Sequence, residues 1–156
     1  MSLERFHKAQ AILSAGYETA LAEIRAGQKR SHWIWYIFPQ VEGLGRSSTA
    51  RAYALRDLDE ACDYLEDRVL GARYEEIARA AEQQLKSGVP LKRLMGSQID
   101  TLKLVSSVTL FRAAAGKLAK GNAPFTSLAE CCDAILAQAA AQGYAPCRQT
   151  LAQLAL

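Results

Sequence analysis

Histidine is scarce in this chain: His7 and His32 are the only two in 156 residues. The four cysteines, Cys62, Cys131, Cys132 and Cys147, include no Cys-x-x-Cys pair, and neither histidine lies near Cys131 and Cys132 in sequence. Zinc needs clustered histidine or cysteine donors, so no metal site is expected. Adjacent cysteines point to different faces of any regular element and do not readily bridge. A chain of this length buries a core without staples. The expectation is a reduced, cytoplasmic protein whose thiols act as small buried hydrophobes. Long apolar runs are also missing. The longest, Trp33 to Phe38, falls far short of the roughly 20 residues that span a bilayer, and no secretion-signal pattern is seen. No membrane partner is expected. Excess charge is small: 19 Lys+Arg against 16 Asp+Glu, net +3. That is too weak a balance to argue for nucleic acid, and no segment reads as a recognition helix rich in Arg, Lys, Asn or Gln.

What is present points to a folded helical protein. Half of the residues are hydrophobic and 22% are charged, which excludes disorder. The length fits a single domain over 1–156. Twenty-eight alanines favour helix, since alanine is the best helix former and is depleted in strands. Ser2 can cap a first helix. Leu3, Phe6, Gln10, Leu13, Tyr17, Leu21 and Ile24 recur at helical spacing, with a break near Gly16 and a stop at Gly27. Gln10 in this stripe reads as an amide satisfied in the core, with an amide reaching into a pocket as the alternative. The Trp33–Phe38 run has no clean period. It and Leu104–Phe111 read as helix, with a two-stranded ribbon as the alternative. Ser47, Ser48 or Thr49 can cap a helix, and Asp57 or Asp59 starts another that Leu70-Gly71 interrupts. Gly88-Val89-Pro90 closes the next stripe. Ser97 to Ala115 reads as the central helix. Thr126 or Ser127 caps the one after it, Gly143 ends that one, and a last helix turns Leu151 and Leu154 inward. The fold class is therefore all-α, a compact bundle of seven to nine helices.

Three constellations could carry chemistry. Lys29, Arg30, Ser31 and His32 adjoin Trp33, Trp35, Tyr36 and Phe38. Cations neutralise phosphate and aromatic faces stack on bases, although a solvated turn before a core segment explains the same pattern. Gly43-x-Gly45-Arg46-Ser47-Ser48 lets backbone approach a ligand closely and offers helix N–H groups to an anion. It is neither a Walker loop nor a dinucleotide fingerprint, and a plain capped loop is the bland alternative. Asp100, Lys103 and Ser107 share one face of the central helix, with Asp100 and Lys103 spaced to pair. Hydroxyls there often bond back to the preceding turn. His32 titrates near neutrality and is a candidate acid–base group. No Ser-His-Asp or Cys-His arrangement is evident.

Ser31-His32-Trp33-x-Trp35-Tyr36-x-Phe38-Pro39-Gln40, followed by Gly43-Leu44-Gly45-Arg46-Ser47, resembles a bacterial family catalogued as domain of unknown function 1810, whose members often carry the label calpastatin. Arg5-Phe6, Tyr53-Ala54, Glu60-Ala61, Gly96, Asp100, Lys103-Leu104 and Ser106-Ser107-x-Thr109-Leu110-Phe111 extend the resemblance over nearly the whole chain. Val108 stands where the family usually has methionine. The resemblance implies a compact, mainly helical domain and no established reaction. The calpastatin label has no support, because calpastatin inhibitory regions are disordered and this chain is apolar enough to fold. A looser analogy, of fold and group mixture only, is to the helical NADAR proteins, which act on ADP-ribose-type conjugates.

The sequence thus sets one main expectation: the two long motifs, about 60 residues apart, meet around a cleft that takes a phosphorylated nucleoside or ADP-ribosyl conjugate. Trp33, Trp35 or Tyr36 would stack the base. Lys29, Arg30, Gly45, Arg46 and Ser47 would hold phosphate, and Asp100, Lys103, Ser107 and His32 would act on the reacting bond. The alternative is a non-catalytic interaction module. No cofactor is expected, and self-association is left open.

Overall fold

A computed structural model describes residues 3–120 and 122–154. Ten helices occur among them: α1 (Glu4–Gln10), α2 (Tyr17–Arg25), α3 (Ile34–Ile37), α4 (Ser48–Ala52), α5 (Leu58–Glu66), α6 (Arg68–Lys86), α7 (Leu91–Met95), α8 (Gln98–Leu118), α9 (Ala123–Ala141) and α10 (Arg148–Leu154). The count exceeds the expected range because α3, α4 and α7 are four- or five-residue turns of helix. No strand occurs among the described residues. The ribbon alternative is replaced by one isolated bridge between Val41 and Leu55, made by Glu42 N–H to Leu55 O at 2.7 Å and Leu55 N–H to Gln40 O at 2.9 Å. That bridge ties the loop after α3 to the loop after α4.

Helix α8 is the axis. From Leu104 to Phe111 every residue is buried, as expected of a helix surrounded by others. It packs against α3, α5, α7, α9 and α10, while α6 joins α2, α5, α7 and α9. Phe111 meets Tyr64 of α5 and Tyr74 of α6 with ring centroids 5.3 and 4.1 Å apart, and Phe38 reaches Tyr74 edge-on at 5.6 Å. Offset and edge-on contacts are the favoured aromatic geometries.

Local sequence explains most boundaries. Ser47 accepts from Ala50 N–H, Asp57 from Glu60 N–H and Ser97 from Asp100 N–H, each a side-chain N-cap. Gly27, Gly96 and Gly143 end helices with positive φ, a conformation glycine adopts freely. The Gln10 amide is satisfied in the core: it donates to Tyr36 O and Tyr64 Oη, both at 2.9 Å.

Several expectations need correction. The Ser2 cap lies outside the described residues, and Leu3 occupies the N-cap position. Leu13 is 93% exposed because it falls in the break between α1 and α2, where helical spacing no longer applies. Leu70-Gly71 does not interrupt a helix. Asp67 caps α6, which runs straight through Gly71. The central helix runs on past Ala115, through Gly116 to Leu118. Helix α9 starts at Ala123 with Pro124 in its first turn, a position that tolerates the missing N–H, so Thr126 and Ser127 lie inside it. Leu151 is 48% exposed rather than inward.

Candidate functional site

The two long motifs come together where α3 and the 39–47 loop face α8. The basic turn is anchored from below by Glu23 of α2. Its Oε1 accepts from Arg30 N–H at 2.8 Å, Ser31 N–H at 2.9 Å and the Trp33 indole at 2.9 Å, while Oε2 accepts from the Ser31 hydroxyl. Burial opposes the Glu23 charge, but these four donors outweigh it and hold its pKa below the ordinary value. Trp33 is consequently fully buried, its indole engaged by Glu23. Tyr36 is 7% exposed and its hydroxyl donates to Ala15 O at 2.6 Å.

Lys29 is 7% exposed. Its ammonium lies 2.7 Å from Asp100 Oδ2 and 4.8 Å from the centre of the Trp33 ring. Asp100 therefore pairs with Lys29 and not with Lys103, the partner expected from helix spacing. Arg30 and His32 are exposed beside this pair, around a depression of about 180 Å³. Ser107 is fully buried and hydrogen-bonded to Tyr74 Oη at 3.0 Å. Ser47 caps α4, and Arg46 and Ser47 are exposed.

Lys103 has a different setting. Its ammonium sits 5.0 Å from the centre of the Trp35 ring, with no carboxylate partner among the described residues. Trp35 is half-buried, and its buried indole N–H finds no acceptor among the described residues. Lys103, Trp35, Gly45 and Tyr53 line a crevice of about 20 Å³, room for a single water. Lys103 and Gly45 also line an adjoining cavity of about 380 Å³ between the 40–45 loop, α8 and the start of α10. That is the size of a small-molecule pocket. Its walls carry Leu44, Ile99, Leu102 and Val105 on the apolar side, Gln40, Ser106 and Gln149 as polar groups, and no acidic residue. Gly45 cannot gain a side chain here, since a Cβ would stand 2.4 Å from that of Ala50.

Two wall residues are not among the site residues expected from sequence. Ser106 bonds Thr150 Oγ1 of α10 at 3.1 Å rather than the preceding turn. Cys147 precedes α10 and lines the cavity. Burial raises its thiol pKa, but donors from Thr150, Ser106 and Gln149 outweigh that and bring it below the ordinary value. Cys147 immediately precedes α10, so Thr150 and Gln149 reach its thiol from the helix's own first turn, and only Ser106 comes from α8. Ile99 and Leu102 were legible as apolar residues off the buried face of the central helix.

This geometry belongs to a helical protein with an open cleft that carries a cation, Lys103, on its wall. The chain matches the family model described as protein of unknown function DUF1810 over residues 1–142 and belongs to that family. It is also similar to a solved crystal structure, the conserved hypothetical protein Rv1873 from Mycobacterium tuberculosis. The two are 37% identical, with a TM-score of 0.80 over 99% of this chain and 96% of that one. No curated protein matches the chain. Among the described residues no helix is long and apolar enough to cross a membrane, and no group of three His, Cys, Asp or Glu side chains could hold a metal ion.

Proposed function

We propose that this protein binds a phosphorylated nucleoside or ADP-ribosyl conjugate in the cleft between the 40–45 loop, α8 and the start of α10. The observation that carries this reading is Lys103: a half-buried lysine with its ammonium over the Trp35 ring, without a carboxylate partner among the described residues, on the wall of a cavity with no acid. An unpaired cation in partly desolvated surroundings favours an anion strongly. Leu44, Ile99, Leu102 and Val105 offer an apolar bed for a base, while Gln40, Ser106 and Gln149 offer hydrogen bonds to its edge. Of the residues expected to act on a reacting bond, only Lys103 faces this cavity, so the role proposed is binding, with Lys103 holding the phosphate.

Calorimetric titration with AMP, ADP-ribose and NAD tests it. Heat is expected for at least one, together with quenching of tryptophan fluorescence. Lys103→Ala should weaken binding by about 1.5–3 kcal/mol, the range for a hydrogen bond to a charged group. No heat at millimolar ligand overturns the reading. A second reading, a non-catalytic interaction module, draws on Ile99 and Leu102, which are 65% and 52% exposed at the cleft. Silence towards every nucleotide would favour it.

A further inference from the structure

We propose a second anion site on the other side of the Gly43–Gly45 loop, one that takes a hydroxylated phosphomonoester such as a sugar or polyol phosphate. A cavity of about 290 Å³ lies there, lined by Arg5, Gly43, Gly45, Arg51, Arg56 and Glu60, with Glu42 at its edge. It is separate from the Lys103 cleft in its charged residues and shares only Gly45 with it.

Glu60 is the key group. It is only 2% exposed, yet it faces this cavity. The α5 N-terminus holds it in place: Asp57 Oδ1 accepts from Glu60 N–H at 2.9 Å, and Glu60 Oε1 accepts from Arg56 N–H at 2.8 Å. The pattern is close to a capping box, with the Glu60 carboxylate reaching the N–H just before the N-cap rather than the N-cap's own. Oε1 also lies 3.4 Å from Arg5 Nη2, and Arg5 in turn donates to Ala54 O at 2.9 Å. The second oxygen, Oε2, makes no hydrogen bond among the described residues. Capping alone occupies Oε1 and leaves Oε2 without a donor. Glu60 lines the cavity, and Oε2 is left to accept from a ligand hydroxyl or N–H.

Two cations complete the site. Arg51, at the end of α4, and Arg56, just before α5, line the cavity, and their guanidinium groups make no ion pair or hydrogen bond among the described residues. Guanidinium forks match phosphate oxygens in geometry and charge. Arg5 offsets Glu60, so Arg51 and Arg56 face only Glu42, and the wall retains positive charge. A ligand with a phosphoryl group and a neighbouring hydroxyl fits both halves: phosphate on Arg51 and Arg56, hydroxyl donated to Glu60 Oε2.

The test is calorimetric titration of the full chain with glycerol 3-phosphate, with inorganic phosphate and glycerol run alongside. Binding of glycerol 3-phosphate is expected, with inorganic phosphate weaker by about tenfold for want of the hydroxyl and glycerol silent. Arg51→Gln and Arg56→Gln, both at exposed positions, should each lower affinity about tenfold. The double variant should abolish binding while its thermal unfolding stays at the wild-type midpoint. Glu60→Gln should erase the preference for glycerol 3-phosphate over phosphate, and this ratio can be read even if that variant is less stable. No heat from either phosphate at 10 mM (roughly the weakest useful affinity) overturns the proposal, as does binding that survives the double arginine substitution. The Lys103 reading fails or stands separately, because AMP heat lost in Lys103→Ala reports the α8 cleft, and glycerol 3-phosphate heat lost in the arginine variants reports this cavity.

Discussion

Removing the Glu23 carboxylate should loosen the whole turn that carries the first motif. Its four acceptor contacts hold Arg30 N–H, Ser31 N–H, the Ser31 hydroxyl and the Trp33 indole. In Glu23→Ala the Arg30 amide, at an exposed residue, regains water. The Ser31 and Trp33 donors recover less. Hydrogen bonds to a charged group contribute about 1.5–3 kcal/mol each and are not additive, so the expected loss is about 3–4 kcal/mol. Glu23→Gln keeps the shape and an oxygen for the three N–H donors, forfeiting charge assistance, and should cost about 1–2 kcal/mol. The pH dependence follows from the lowered pKa. A carboxylate whose pKa is depressed on folding stabilises fully above its unfolded value and loses that contribution as pH falls through the folded value. The gap between wild type and Glu23→Gln should therefore be constant from pH 7 to about 5 and close below about 4. Urea titrations followed by circular dichroism at pH 7, 5, 4 and 3 measure both. An alanine variant within about 0.5 kcal/mol of wild type, or a gap indifferent to acid, would refute the latch.

Other consequences are simpler to check. Gly71→Ala in a solvated helix would stabilise by about 1 kcal/mol, but here the new Cβ would stand 2.1 Å from the Leu65 carbonyl oxygen. A loss of about 2 kcal/mol is expected instead, and a raised melting temperature would contradict the close approach. Lys29→Ala strips Asp100 of its partner and should cost about 3 kcal/mol, with an unchanged urea midpoint counting against a clamp between the basic turn and α8. Of the four cysteines, three are buried and Cys147 is partly open with a lowered thiol pKa. Titration with an aromatic disulfide reagent near neutral pH should show one fast thiol, absent in Cys147→Ser; a fast phase that survives the substitution points elsewhere.

The sequence was most readable where the decisive forces are local. Breaks at Gly16 and Gly27, the caps Ser47 and Asp57, and the central helix after Ser97 all follow from short-range hydrogen bonding and backbone freedom. It failed where a distant element decides. Gly71 looks like a helix breaker because glycine weakens helices, yet it is there because α6 folds back against the Leu65 carbonyl. Asp100 and Lys103 look like a pair at helical spacing, but Lys29 arrives from another segment and takes the carboxylate. Leu13 has helical spacing without a helix beneath it.

The same principle separates neighbours of identical type within each motif. Trp33 and Trp35 are two residues apart around the α3 turn, and side chains at that spacing in a helix point to nearly opposite sides. One can be claimed by Glu23 only if the other is turned towards the 43–54 segment, where it meets Lys103. Ser106 and Ser107, about 100° apart on α8, diverge likewise: Ser107 is locked by Tyr74, and Ser106 lies on the wall of the cavity with Thr150 behind it. Lys29 and Lys103, from different segments, also divide, the first closed by Asp100 and the second left without an acid among the described residues. In each comparison one residue is turned away from the Lys103 cleft and the other lines it or its adjoining crevice: Trp35 the crevice, Ser106 the cavity and Lys103 both. A charged group that is already paired cannot take a ligand without giving up its partner, so the proposed binding role falls on Lys103 rather than on Lys29.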